Sequence, residues 1–292
     1  MRDDTLASLT GEAAQPVSVQ QALAQASAAG LDSLDAQWLL CHLLQQPRTW
    51  LRSNADARLP AAITQAFANG CQRLATGEPL AYLLGEQGFH GLLLHVTSAV
   101  LVPRPDTETL VDWALALLPT LATATPRVLD LGTGSGAVAL AVMHGWPAAQ
   151  VSATDVSTAA LAVAQANARR LALPVAFSTG DWWQAVPAGS QFELLLSNPP
   201  YIAGDDPHLP ALQHEPLLAL TPGADGLAAL AAIISGAANH LVAGGWLLLE
   251  HGWDPAAAVA GLLQQAGFDH ISSRTDLAGR PRCTGGHWAG PG

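Results

Sequence analysis

Three glycines at alternate positions, Gly132, Gly134 and Gly136, close the apolar stretch Val128-Leu129-Asp130-Leu131. A short apolar run of this kind is a buried strand. A glycine-rich turn directly after it lets the backbone reverse into a helix and come close to a ligand. Residues 127–131 are therefore expected as a strand and residues 138–144 as the helix that follows.

The rest of the chain repeats that alternation. Residues 150–154 read as a second strand, and Ser157 caps a helix running to about residue 171. Further strands are expected at 175–178, 193–197 and 246–250, with a helix over 226–241 between the last two. Asp254-Pro255 is a cap and first-turn pair for a helix ending near Gly267, and residues 282–288 fit a last strand. Strands alternating with helices imply an α/β architecture with a mostly parallel, doubly wound sheet.

Residues 16–85 carry helical spacing only. Val19, Leu23 and Ala26 share one face, as do Leu34, Trp38, Leu39, Cys41 and Leu43; a third helix is expected over 60–75, with Pro60 in its first turn. This bundle is either a recognition module or a stabilising domain without a ligand. In residues 86–105, Gly88 and Gly91 punctuate extended pieces at 92–96 and 100–102, and Pro103 and Pro105 stiffen the exit. The expected organisation is a helical domain over 1–85, a linker with a β-hairpin over 86–105, and a catalytic domain over 106–292.

Composition removes several function classes. The net charge is −11 with only 12 Lys and Arg among 292 residues, which disfavours a broad phosphate-binding surface and hence direct nucleic-acid binding. Cys41, Cys71 and Cys283 show no paired spacing, so neither a disulfide framework nor a zinc site is expected. The histidines show no metal-binding spacing, and no metal is expected. No apolar run reaches membrane-spanning length, and Met1-Arg2-Asp3-Asp4 does not open a signal peptide. A cytoplasmic protein that does not engage a membrane is the expectation.

The turn reads G-x-G-x-G rather than the G-x-G-x-x-G of dinucleotide-binding proteins. That favours S-adenosyl-L-methionine, which has no pyrophosphate to rest on a helix N-terminus, in contact with Gly132, Thr133, Gly134, Ser135 and Gly136. Asp155 ends the second strand, where its carboxylate can accept from both ribose hydroxyls or cap the next helix; beside the glycine turn, the cofactor reading is the better one. Asp181 can accept from the nucleoside and Trp182 can pack on adenine, although of Trp182-Trp183 at least one is expected to serve packing alone.

Asn198-Pro199-Pro200-Tyr201 follows the fourth strand on the same edge. The prolines fix the backbone and push Asn198 into an extended conformation. An amide nitrogen is a poor nucleophile because its lone pair is delocalised, but its two hydrogens can be held by the Asn198 side-chain oxygen and the Pro199 carbonyl. Tyr201 offers a π face to the planar group. The motif thus suits a planar nitrogen held for in-line methyl transfer without a strong base. Asp205, Asp206 and His208 read as loop caps or substrate contacts, and Glu250-His251, at the end of the fifth strand, as structural or lying near the substrate, the structural reading being the better one.

The chain closely resembles the PrmC/HemK family, the protein-(glutamine-N5) methyltransferases of class I peptide chain release factors. The resemblance is carried by Gly77-Glu78-Pro79-Leu80-Ala81-Tyr82, Leu101-Val102-Pro103-Arg104-Pro105-Asp106-Thr107-Glu108, Asp130 to Gly136 and Asn198 to Tyr201. Asp206-Pro207-His208-Leu209, Glu215-Pro216 and Leu247-Leu248-Leu249-Glu250-His251-Gly252 extend it, whereas Cys283-Thr284-Gly285-Gly286-His287-Trp288 departs from the usual pattern. The resemblance implies a Rossmann-like class I S-adenosyl-L-methionine-dependent methyltransferase whose N-terminal helices meet the release factor; a monomer is the expectation, though nothing in the sequence fixes the oligomeric state. It also implies that Gly132 to Gly136, Asp155 and Trp182 hold the cofactor and that Asn198 to Tyr201 hold the glutamine of a Gly-Gly-Gln loop; Asp181, read from its place after the third strand, and Asn198 are expected beside the cofactor as well. S-adenosyl-L-homocysteine is the implied product. Two rivals are a nucleic-acid amino-group methyltransferase, which needs a basic groove, and a non-catalytic scaffold, which has no need of the intact Gly132, Gly134, Asp155 and Asn198 set.

Overall fold

The computed structural model describes residues 17–223, 226–252 and 255–291. Met1 to Asp4 and Asp254 lie outside the described residues. The chain forms two compact units, residues 1–84 and 85–292.

The first unit is helical, with α1 (Val19–Ala28), α2 (Ser33–Leu44), α3 (Arg48–Ser53), α4 (Ala61–Ala75) and α5 (Leu80–Leu84). Ser18 caps α1 through a reciprocal pair with Gln21, and the Asp32 carboxylate accepts the Leu34 and Asp35 amides at the start of α2. Val19, Leu39, Leu40 and Phe67 form its core.

The second unit opens with a hairpin, β1 (Glu86–Phe89) and β2 (Leu92–His95), paired antiparallel. Phe89, Leu92 and Leu94 join the core of the α/β unit, so the hairpin is built into this unit rather than standing as free linker. Residues 100–102 form no strand. The Val102 amide goes to the Glu215 carboxylate instead of a ladder partner.

Then come α6 (Glu108–Leu117), β3 (Arg127–Leu131), α7 (Ala137–Gly145), β4 (Gln150–Asp155), α8 (Thr158–Leu171), β5 (Ala176–Thr179), β6 (Phe192–Ser197), α9 (Leu217–Leu220), α10 (Ala228–Ala237), β7 (Leu241–Glu250), α11 (Ala256–Gln265), β8 (Asp269–Thr275) and β9 (Pro281–Trp288). Among the described residues, β3 to β9 make one sheet in the order β5-β4-β3-β6-β7-β9-β8. All of these strands run in one direction except β9, which pairs antiparallel with both β7 and β8.

Side-chain alternation assigns the two faces. Val128, Leu194, Leu196 and Leu248 pack with α6 and α7, while Leu129, Leu131, Leu195, Leu247 and Leu249 pack with α10 and α11. The glycines of β9 are part of this packing. A Cβ on Gly285 would come within 2.4 Å of Leu248, and one on Gly286 within 2.9 Å of Phe268. The unusual Thr284-Gly285-Gly286 sequence thereby admits close neighbours on both faces.

The observed β7 starts at Leu241, five residues earlier than the pattern predicts, because Gly244 at φ +85° interrupts the apolar run without ending the strand. The helix expected over 226–241 is correspondingly short.

Candidate active site

The strand order reverses direction between β4-β3 and β6-β7, and a crevice forms at the carboxyl ends of these strands, where ligands of open α/β sheets sit. A cavity of about 390 Å³ occupies it, lined among others by Gly132, Gly134, Asp155, Trp182, Asn198 and Pro200. Its size suits a nucleoside-type ligand.

The glycine turn forms one wall. Gly132, Gly134 and Gly136 lie at φ +74°, +56° and +85°, a region that side chains disfavour. A Cβ on Gly134 would meet nothing within 4 Å, whereas one on Gly136 would press on Leu140 and Ala164. Gly134 therefore faces the cavity, and Gly136, which does not line it, lets α7 pack against α8. Asp130, buried below the turn, accepts the Thr133 hydroxyl at 2.6 Å. Burial lifts its carboxyl to about 7, opposed by the Thr133 and Ala139 hydrogen bonds. Sequence reasoning gave Asp130 no role of its own.

Asp155 accepts the Gly134 amide at 2.9 Å and the Ser157 amide at 2.8 Å. Burial raises its carboxyl while these backbone donors oppose the rise. The Ser157 side chain caps α8, so Asp155 is free of that task. Asp181 is exposed at the cavity edge. The two tryptophans diverge. Trp182, at φ +43°, lines the cavity with its ring against Gly132. Trp183 turns away, stacks on His240 at 4.7 Å and donates to the Ala232 carbonyl at 3.1 Å.

The opposite wall carries Asn198 and Pro200, with Pro199 buried behind them. The Ser197 hydroxyl donates to the Leu131 carbonyl at 2.6 Å, which ties the end of β6 to the start of the glycine turn. Asn198 Nδ2 donates to Thr107 Oγ1 at 3.2 Å. The Thr107 hydroxyl in turn bonds the Glu250 carboxylate, and the Tyr201 hydroxyl donates to Glu250 Oε1 at 3.4 Å. Pairing of Ser197 with Leu249 in the β6–β7 ladder brings Glu250 beside Asn198. Burial raises Glu250 to about 7 against the Thr107 bond and the Arg282 charge, and burial also pushes the Tyr201 phenol up, keeping it neutral.

Sequence reasoning gives Thr107 no role of its own in this site and leaves Glu250 between a structural role and one near the substrate. The segment holding Thr107 is anchored by Arg104 on Glu215 and by Asp106, 3.0 Å from Arg282. His251 is buried and fully bonded, Nδ1 to the Gly252 carbonyl and Nε2 to the Thr284 hydroxyl, with burial lowering its pKa. Asp206 accepts the amide of His208 in its own turn, outside the cavity. Elsewhere, the β8–β9 register brings ligand atoms of Asp269, His270 and His287 within 4.8 Å of one another, a grouping that linear spacing does not reveal.

Comparison with known proteins gives the same outline. Residues 18–85 match the PrmC N-terminal domain model and residues 108–215 the methyltransferase small domain model. A release factor glutamine methyltransferase of Bordetella pertussis is 49% identical over 260 residues, covering 88% of this chain and 96% of that protein. One from Xylella fastidiosa is 47% identical over 272 residues, covering 92% and 98%. Among solved structures, a 16S rRNA methyltransferase of T. thermophilus in complex with AdoMet and guanosine superposes with a TM-score of 0.53 at 19% identity. That match covers 70% of this chain and 49% of the other and speaks to the fold alone.

Proposed function

This chain belongs to the release factor glutamine methyltransferase family, and we propose that Asn198 to Tyr201 hold the acceptor amide while Gly132 to Ser135, Asp155, Asp181 and Trp182 hold the cofactor, Gly136 serving the packing behind the turn. The reaction moves the methyl group of S-adenosyl-L-methionine to a glutamine side chain of a release factor. The observation that carries the residue assignment is the one cavity that Gly134 and Asp155 line on one side and Asn198 on the other.

S-adenosyl-L-methionine supplies a sulfonium methyl and leaves as the thioether S-adenosyl-L-homocysteine. What the chain itself contributes is placement. Asp155, already fixed by two backbone donors, has lone pairs left for ribose hydroxyls. Trp182 covers the base side of the cavity. The Asn198 Oδ1 and the Pro199 carbonyl accept the two amide hydrogens of the glutamine, which lines up its nitrogen; orientation of this kind contributes on the order of 7 kcal/mol in favourable cases. The neutral Tyr201 ring stacks on the amide plane and tolerates the positive charge that grows on nitrogen until its proton leaves to solvent.

We further read the acceptor as the glutamine of the Gly-Gly-Gln loop of class I release factors, with the helical unit over residues 1–85 as the recognition domain, residues 86–105 as its connection and 106–292 as the catalytic domain. A cytoplasmic monomer that acts on protein and not on nucleic acid or membranes fits the low Lys and Arg content. Mass spectrometry of release factor treated with the enzyme and labelled cofactor tests this. A methyl on the loop glutamine is expected; label found only in added RNA would overturn it.

A further inference from the structure

We propose that Thr107 and Glu250 set the orientation of the Asn198 carboxamide, which makes both of them positioning residues for methyl transfer. The inference rests on the reading that Asn198 Oδ1 receives the acceptor amide.

A carboxamide presents nearly the same shape after a half-turn, with oxygen and NH₂ exchanged. Only one of the two faces suits an incoming amide NH₂, because two donors cannot pair. Something must therefore choose the face. Thr107 Oγ1 carries one hydrogen, and Glu250, once ionised above about pH 7, can only accept it. The oxygen left on Thr107 is then an acceptor, and the Asn198 group that meets it at 3.2 Å must be the NH₂. Oδ1 is thereby turned away from Thr107.

The relay is held firmly. Thr107 and Glu250 are buried, and neighbouring Asp106 is fixed by Arg282 at 3.0 Å. The same Glu250 carboxylate receives the Tyr201 hydroxyl at 3.4 Å, so one group steadies both Asn198 and Tyr201. Glu250 Oε2 is buried without a hydrogen-bond partner. A carboxylate kept in such a place is poorly explained by stability, since burial without full pairing opposes folding.

The test uses the full chain with Thr107→Val, Thr107→Ser, Asn198→Ala and the double variant Thr107→Val/Asn198→Ala. Turnover on intact release factor is measured, together with calorimetric binding of a Gly-Gly-Gln peptide in the presence of S-adenosyl-L-homocysteine. Thr107→Val is expected to lower kcat roughly tenfold or more with unchanged cofactor affinity, and Thr107→Ser to restore most of it. In the Asn198→Ala background, Thr107→Val should no longer change peptide affinity, a silence that a general packing defect would not give. A fully active Thr107→Val, or equal effects of Thr107→Val in both backgrounds, overturns the proposal. A fully active Asn198→Ala instead overturns the reading beneath it. If Thr107→Val does not fold, Glu250→Gln carries the test: its amide can offer Thr107 either a donor or an acceptor, so kcat should fall while cofactor affinity holds, and undiminished kcat overturns the proposal.

Discussion

The Asp155 carboxylate reaches across the cofactor turn and accepts the Gly134 amide at 2.9 Å, while its second oxygen accepts the Ser157 amide at 2.8 Å. One side chain thus fixes the turn and presents its remaining lone pairs to the cavity. Asp155→Ala removes both. Cofactor affinity is expected to fall by about 2 kcal/mol, roughly thirtyfold in Kd by calorimetry. An unchanged Kd would remove Asp155 from the cofactor site.

Asn198→Ala leaves the glycine turn untouched but takes away the oxygen aimed at the acceptor. Methyl incorporation into release factor should drop by roughly two orders of magnitude or more, with cofactor Kd held within about twofold. Incorporation at the normal rate contradicts the assignment.

Trp182 and Trp183 are adjacent in sequence and opposite in duty. Trp183→Ala loses the His240 stack and the bond to Ala232 and should lower stability by about 2 kcal/mol in urea titration, with cofactor affinity kept. Trp182→Ala should show the reverse, weaker cofactor binding and little loss of stability. Interchanged outcomes would assign the cofactor contact to Trp183.

Glu250 provides a pH test. Burial lifts it from 4.5 to about 7, so the folded chain binds this proton more tightly than the unfolded chain does. The resulting penalty on stability is absent below about pH 4.5, grows through the interval and is complete above about pH 7, where it amounts to about 3 kcal/mol. Glu250→Gln should therefore be more stable than the parent at pH 8, with the advantage shrinking by pH 5. A residual slope will remain from Asp130, which is also lifted to about 7. Superimposable urea midpoints at all pH values would deny Glu250 this role.

Much of the fold can be read from the chain because its parallel strands are buried on both faces and so appear as dense apolar runs between glycines and caps; β3, β4 and β6 are examples. The exposed, polar β8 offers no such contrast, and α6 follows a proline-rich segment that reads as linker. The glycine turn and the Asn198 loop are local motifs and stand out. Thr107 and Glu250 do not, because only the β6–β7 register and the anchoring of Asp106 bring them to Asn198. The Asp269, His270 and His287 grouping is hidden for the same reason.

The bonds that hold the Asn198 loop join distant parts of the chain: Asn198 to Thr107 spans 91 positions, and Arg104 to Glu215 spans 111. Contacts of such high order form late, since the entropy of closing long loops must first be met. During synthesis the glycine turn is complete long before Glu250 and Arg282 have been made. A growing chain is thus expected to acquire the elements of its cofactor pocket first and a fixed acceptor site last.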